Sequence, residues 1–151
     1  MRWILVYSMN NFSLNIYELK ALLDNKADIV IVDIREPDEY VLGKINNALL
    51  IPILDIRSCL SQISKLKSVI VYCHTGTRSI EIVFHLQWLG LVQVKDLEGG
   101  IDAWSRNIDT NIPTYERNPQ KTIQLINQFK KQRTTDYEMR LLDKKTKSIV
   151  S

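Results

Sequence analysis

Long apolar runs are absent from this sequence. Its N-terminal stretch Trp3-Ile4-Leu5-Val6-Tyr7 is five residues long, against the about 20 that cross a bilayer as a helix. Ser8-Met9-Asn10-Asn11 follows without a small-residue cleavage pattern, so neither a membrane span nor a secretory signal is expected. Cysteine is scarce too. Cys59 and Cys73 are the only two in 151 residues, which is no disulfide framework of a secreted domain. A reducing compartment is expected, in the first place the cytoplasm. The frequent Ile, Lys and Asn fit an AT-rich genome such as an organelle's, which keeps the plastid stroma open. With 5 Gly and 4 Pro, the chain is neither collagen-like nor disordered.

An overall excess of basic charge is also missing. The net charge is +3, but residues 1–115 carry 11 Lys/Arg against 13 Asp/Glu, while residues 116–151 carry 9 against 4. The positive charge belongs to the tail. A nucleic-acid reading from net charge alone is unwarranted, and no DNA partner is expected. The length is about that of one domain, and 45% hydrophobic content supplies a core.

The chain alternates strand and helix patterns. Phe12-Ser13-Leu14 is a candidate short strand. Asn15 with Glu18 forms a capping box ahead of the Leu19, Leu22, Leu23 stripe. Ile29-Val30-Ile31-Val32 is an unbroken β-branched run, and Ser68-Val69-Ile70-Val71-Tyr72-Cys73 reads as the strongest buried strand, as in parallel strands buried on both faces. Pro37 to Tyr40 reads as one helical turn, Ala48 to Ile51 as a short strand, and Leu54 to Leu66 as an amphipathic helix. A helix over about Ser79 to Leu89 ends at Gly90. Val92 to Leu97 alternates like a less buried strand, Gly99-Gly100 breaks it, and Ile101 to Trp104 start another helix. Residues 119–133 carry a thin apolar stripe at Ile123, Ile126 and Phe129, and residues 134–151 read as frayed. The pattern predicts an α/β domain with a mainly parallel sheet.

Chemistry concentrates in Cys73-His74-Thr75-Gly76-Thr77-Arg78-Ser79. A cysteine at the carboxyl end of a buried parallel strand, just ahead of a helix, stands where open α/β sheets bind ligands. The helix N-terminus offers free N–H groups and partial positive charge, both of which favour a thiolate. Arg78 adds a fixed cation, and Gly76 lets several amides turn inward. The result is an anion cradle around a nucleophilic sulfur. Cys59 reads as packed on a helix. His85 has no His or Cys partner at metal-binding spacing, so no metal is expected. Trp88 and Trp104 read as core or edge packing.

Three segments then resemble the rhodanese family of sulfurtransferases, in the family's order. Val32-Asp33-Ile34-Arg35-Glu36-Pro37-Asp38-Glu39-Tyr40 is similar to its early signature. Cys73 to Ser79 is similar to its active loop, and Leu97-Glu98-Gly99-Gly100-Ile101-Asp102-Ala103-Trp104 to its closing signature. The resemblance implies a rhodanese-like fold, with helices on both faces of the sheet. It covers residues 14–115, leaving an N-terminal extension at 1–13 and a basic tail at 116–151, part helical and part disordered. It implies that Cys73 carries a sulfane sulfur as a persulfide, and that the amides of His74, Thr75, Gly76, Thr77 and Arg78 hold it. Arg78 would meet an anionic donor such as thiosulfate; a cysteine desulfurase is the other donor. Asp33 and Arg35 would brace the loops, or be ordinary loop charges. No cofactor is implied.

Phosphatases that resemble rhodaneses use a Cys-x5-Arg loop. Here the spacing is Cys-x4-Arg, a narrower cradle suited to one terminal sulfur. Gly43-Lys44-Ile45 departs from the Gly-His-Ile of many relatives. The closing stretch and Ile112-Pro113-Thr114-Tyr115 are similar to rhodanese domains fused to molybdopterin- and thiamine-type adenylyltransferases. That likeness implies a ubiquitin-like sulfur-carrier protein as an acceptor. The alternative from another class is a non-enzymatic binding module that docks a partner through the basic tail, with Lys130-Lys131-Gln132-Arg133 and Lys144-Lys145-Thr146-Lys147 as its contacts.

Overall fold

The computed structural model describes residues 12–59 and 68–132. The chain divides into two compact units, Met1–Glu116 and Arg117–Ser151.

In the first unit five strands form one sheet: β1 (Ser13–Leu14), β2 (Val30–Asp33), β3 (Leu49–Leu50), β4 (Val69–Tyr72) and β5 (Val94–Leu97). Their order is β1-β5-β4-β2-β3, and every pairing is parallel. Among the described residues of this unit the helices are α1 (Ile16–Asp24), α2 (Pro37–Tyr40), α3 (Thr77–Trp88) and α4 (Gly100–Asn107). Asn15 caps α1 by accepting from the amides of Tyr17 and Glu18, while the Glu18 carboxylate accepts from the Asn15 amide at 2.7 Å.

Strand alternation divides the core. Ile31, Ile70, Tyr72 and Leu97 pack with Ile16 and Leu19 of α1 and with Ile101 and Trp104 of α4. The opposite row, Val32, Val69, Val71 and Val94, is fully buried, and α3 packs on β4 and β5 through the buried Ile82, Val83 and Leu86. Each such aliphatic side chain contributes about 1.5–3 kcal/mol. The expected α/β sheet with helices on both faces is therefore the fold observed.

Three local expectations change. β5 is not a less buried strand: it lies between β1 and β4, so Val94, Asp96 and Leu97 are all buried. The helix expected from Leu54 begins instead as two 3-10 turns, Ile53–Asp55 and Arg57–Cys59. Pro52 leads in, and Ile53 and Ile56 bury at the three-residue period of that helix; residues 60–66 lie outside the described ones. Finally, α3 starts at Thr77 rather than Ser79, because Gly76 at φ 96° is its N-cap, which puts Thr77 and Arg78 in the first turn. Trp104 is buried, whereas Trp88 is 46% exposed.

In the second unit residues 119–132 are helical, and the Asn118 side chain accepts from the Gln120 amide at 2.9 Å. The end of the expected tail, residues 133–151, lies outside the described residues, as do residues 1–11 of the N-terminal extension. Among the described residues no helix is long and apolar enough to cross a membrane.

Candidate active site

Cys73 leaves the end of β4 and is 1% exposed. Its Sγ accepts the Gly76 amide at 3.1 Å and is 3.3 Å from the Ser79 hydroxyl. Of the loop residues named from the sequence, Thr75 and Thr77 are exposed, with their hydroxyls 3.1 Å apart. Gly76 supplies both the turn and the amide. Its φ of 96° lies where other residues are strained.

The closing signature holds this loop from behind. The first amides of α4 are aimed at it: Ile101 N–H donates to the Cys73 carbonyl at 3.0 Å and Asp102 N–H to the His74 carbonyl at 2.9 Å. A side chain at Gly100 would put Cβ 2.5 Å from both carbonyl oxygens. This explains a glycine there beyond its effect of ending a strand.

Arg78 is where structure and expectation part. It is 1% exposed, and its two terminal nitrogens each lie 2.8 Å from a Glu39 carboxylate oxygen. Its guanidinium is engaged by that bidentate pair, so its positive field reaches Cys73 while its donors face Glu39. Burial pushes the Glu39 carboxyl up, but Arg78 overcomes it and holds the group at about 2. Arg78 itself is raised, as Glu39 outweighs its desolvation.

The early signature supplies the other half of this network. Arg35 is fully buried. It donates to both Asp33 oxygens, at 2.6 Å from the closest nitrogen, to the Gly43 carbonyl at 2.7 Å, to the Glu39 carbonyl at 3.1 Å and to the Tyr115 hydroxyl at 3.2 Å. The Tyr115 hydroxyl then donates to Glu39 at 2.8 Å, and that of Tyr72 to Asp33 at 2.6 Å. Asp33, Arg35, Glu39 and Arg78 thus form one buried, charge-balanced chain from β2 to the active loop. Of the two sequence readings of Asp33 and Arg35, bracing is the one observed. Burial, then the neighbouring carboxylates, holds both Tyr72 and Tyr115 well above the usual phenol range.

His74 is buried and stacks on the Tyr115 ring at 4.1 Å. Burial pulls it below the ordinary histidine value, with Arg78 adding to the effect, so it is neutral at pH 7.

Sequence reasoning gave no role to Glu39, Ser79, Asp96 or Tyr115. Asp96 carried a signal. A carboxylate inside a strand of a two-sided parallel sheet is buried and must find polar partners.

The Glu39 shift has a measurable consequence. A carboxyl lowered from 4.5 to about 2 stabilises the fold fully above its unfolded value. That stabilisation, about 2–3 kcal/mol, is lost as pH falls from about 4.5 toward 2. Glu39→Gln is expected to flatten this acid limb while lowering the plateau at neutral pH. Urea midpoints across the range check it; an unchanged acid slope contradicts it.

Comparison with known proteins agrees with the fold. The family model described as Rhodanese-like domain matches residues 15–107. A sulfurtransferase of Allochromatium vinosum is 38% identical over 89 residues, 59% of this chain and 83% of that protein. The adenylyltransferase and sulfurtransferase MOCS3 of Arabidopsis thaliana is 31% identical over 114 residues, 65% of this chain but only 25% of that longer protein. A crystal structure of a rhodanese-related protein from Thermoplasma volcanium superposes with a TM-score of 0.58 at 33% identity, over 64% of this chain and 93% of the other. The relatives' sulfurtransferase names do not favour the non-enzymatic alternative. A matched domain over most of the chain, on the fold described above, places this protein in the rhodanese-like domain family.

Proposed function

We propose that this domain is a sulfurtransferase that carries a sulfane sulfur as a persulfide on Cys73. The observation that carries the reading is the Cys73 sulfur at the N-terminus of α3, accepting the Gly76 amide at 3.1 Å under the field of a buried arginine. An anion on this sulfur meets an N–H donor, the helix dipole and the Arg78 charge together.

The reaction is covalent catalysis in two displacements. The Cys73 thiolate attacks the outer sulfur of a small anionic donor such as thiosulfate. The donor S–S bond breaks, sulfite leaves with the electron pair, and Cys73 holds the outer sulfur as Cys–S–S⁻. A nucleophilic acceptor, a thiol or cyanide, then attacks that outer sulfur, takes it and returns the thiolate. With an activated ubiquitin-like sulfur-carrier protein the persulfide itself attacks the activated C-terminal acyl carbon, the activating group leaves, and a thiol reductant splits the resulting acyl disulfide into the carrier thiocarboxylate and the Cys73 thiolate. A cysteine desulfurase persulfide can load Cys73 by the same displacement as thiosulfate. The similarity to part of MOCS3 supports the carrier-protein acceptor. Thr75, Gly76 and Thr77 form the rim that a donor meets. His74 shapes the loop through its stack on Tyr115, and Arg78 acts by charge from beneath.

The test is thiocyanate formation from thiosulfate and cyanide. Production in proportion to protein, stopped by prior alkylation of Cys73 with iodoacetamide, is expected. No thiocyanate, together with no uptake of sulfur from a desulfurase persulfide, contradicts the reading.

A further inference from the structure

Ser79, fully buried in the first turn of α3, stands between two groups. Its hydroxyl lies 3.3 Å from Cys73 Sγ on one side and hydrogen-bonds Asp96 Oδ1 on the other. The Gly76 carbonyl at 3.4 Å is a weaker third partner. A serine hydroxyl has one proton to donate and two lone pairs with which to accept. Its proton can therefore serve the sulfur or the carboxylate, not both.

Asp96 sits on β5 opposite Val71 of β4 and Ser13 of β1 and is 3% exposed. Burial pushes its carboxyl up to about 6, with the Glu98 charge adding to this and hydrogen bonds from Ser79 and Ser13 opposing it. Lys95 falls on the other face of β5 by strand alternation. On the sulfur side the charged groups are Arg78, already paired with Glu39, and the neutral His74, 4.0 Å from Asp102 of α4.

We propose that Asp96 holds the proton released by the Cys73 thiol, delivered through Ser79. This rests on the reading of Cys73 as the sulfur-carrying nucleophile. In the thiol state Cys73 S–H donates to Ser79 Oγ, and Ser79 donates to the ionised Asp96. In the thiolate state the S–H bond has broken and its proton is on Ser79 Oγ, whose own proton has passed to Asp96 Oδ1. Neutral Asp96 then donates to Ser79, and Ser79 donates to the thiolate beside the Gly76 amide. One proton moves, the net charge of the three groups is unchanged, and no other reactant enters. The buried sulfur becomes nucleophilic without exchanging a proton with water. Asp96 acts through Ser79 and is a positioning residue; Ser79 touches the reacting atom.

The experiment is the iodoacetamide alkylation rate of Cys73 in the full chain between about pH 5 and about pH 10, read on the Cys73 peptide by mass so that Cys59 does not contribute. Coupled groups titrate as a pair. The wild-type rate is therefore expected to rise in two steps, the lower near pH 6, where Asp96 titrates. Asp96→Asn and Ser79→Ala are each expected to give a single step, moved in opposite directions. The Asn carboxamide keeps the Ser79 hydroxyl turned to the sulfur, so full rate is reached by about neutral pH. The Ala variant deprives the thiolate of its hydroxyl donor, and its step moves up by about one pH unit, a tenfold loss of thiolate at a given pH. A single step in the wild type, or variants that only rescale the rate, overturns the proposal. Ser79→Ala removes one hydroxyl from a folded helix and carries the test if Asp96→Asn does not fold. Alkylation needs no sulfur donor. Failure of sulfur transfer with these steps intact would therefore count against the persulfide reading and leave the proton path standing.

Discussion

Arg35→Ala is expected to destabilise the domain by about 3–5 kcal/mol, the range for breaking a buried ion pair by removing one partner. The size follows from what the substitution strands. Asp33 is fully buried, and it would keep only the Tyr72 hydroxyl at 2.6 Å and the backbone amide of residue 35 at 3.0 Å. The carbonyls of Gly43 and Glu39 and the Tyr115 hydroxyl would each lose a donor too. Arg35→Lys is expected to recover only part of the loss, because a single ammonium cannot cover acceptors spread around a planar fork. Urea unfolding of the three proteins measures this. A cost for Arg35→Ala of under about 1 kcal/mol would mean that the buried chain from Asp33 to Arg78 is not a brace, and that Arg78 is held in place by other contacts.

Much of the fold was legible in the sequence one piece at a time, and the connections that make this brace were not. The unbroken runs at Val30 to Val32 and Val69 to Tyr72 gave the parallel sheet, because a two-sided strand has no polar face to alternate. The Asn15–Glu18 box gave the start of α1, since capping chemistry is local. Cys73, Gly76 and Arg78 stood out because strand end, turn and helix start lie within a few residues. Glu39 and Tyr115 did not, because their partners are 39 and 76 residues away in sequence and only the fold brings them together. Hence Arg78 read as a fixed cation facing a donor anion, when Glu39, a residue inside the early signature, already pairs with its guanidinium. The reduced exposure of β5 was hidden for a similar reason. Gln93 and Lys95 look like the polar half of an alternating strand, and nothing local says that β1 closes the sheet beyond it. At Leu54 the i, i+3 burial of Ile53 and Ile56 fits a 3-10 turn as well as an α-helix.

Cys73→Ser is expected to lower sulfur transfer at least about 1000-fold, the scale seen when a covalent nucleophile is removed. The serine hydroxyl fits the same site and can still accept the Gly76 amide. It is not ionised near neutral pH, however, and oxygen there cannot form a persulfide. Stability is expected to stay within about 1 kcal/mol, because the exchange is small and keeps a polar acceptor facing the amide. Loss of transfer with the fold retained therefore separates chemistry from architecture. A serine variant that kept a substantial share of wild-type transfer would move the reaction away from this sulfur.

The central claim, that Cys73 itself carries the sulfur, is tested most directly by intact-mass spectrometry after incubation with thiosulfate, with Cys73→Ser run beside it. The account predicts a gain of one sulfur atom's mass in the wild type, absent from the variant and removed by cyanide or dithiothreitol. No gain with thiosulfate or with a cysteine-desulfurase donor, or an equal gain in Cys73→Ser, would contradict it.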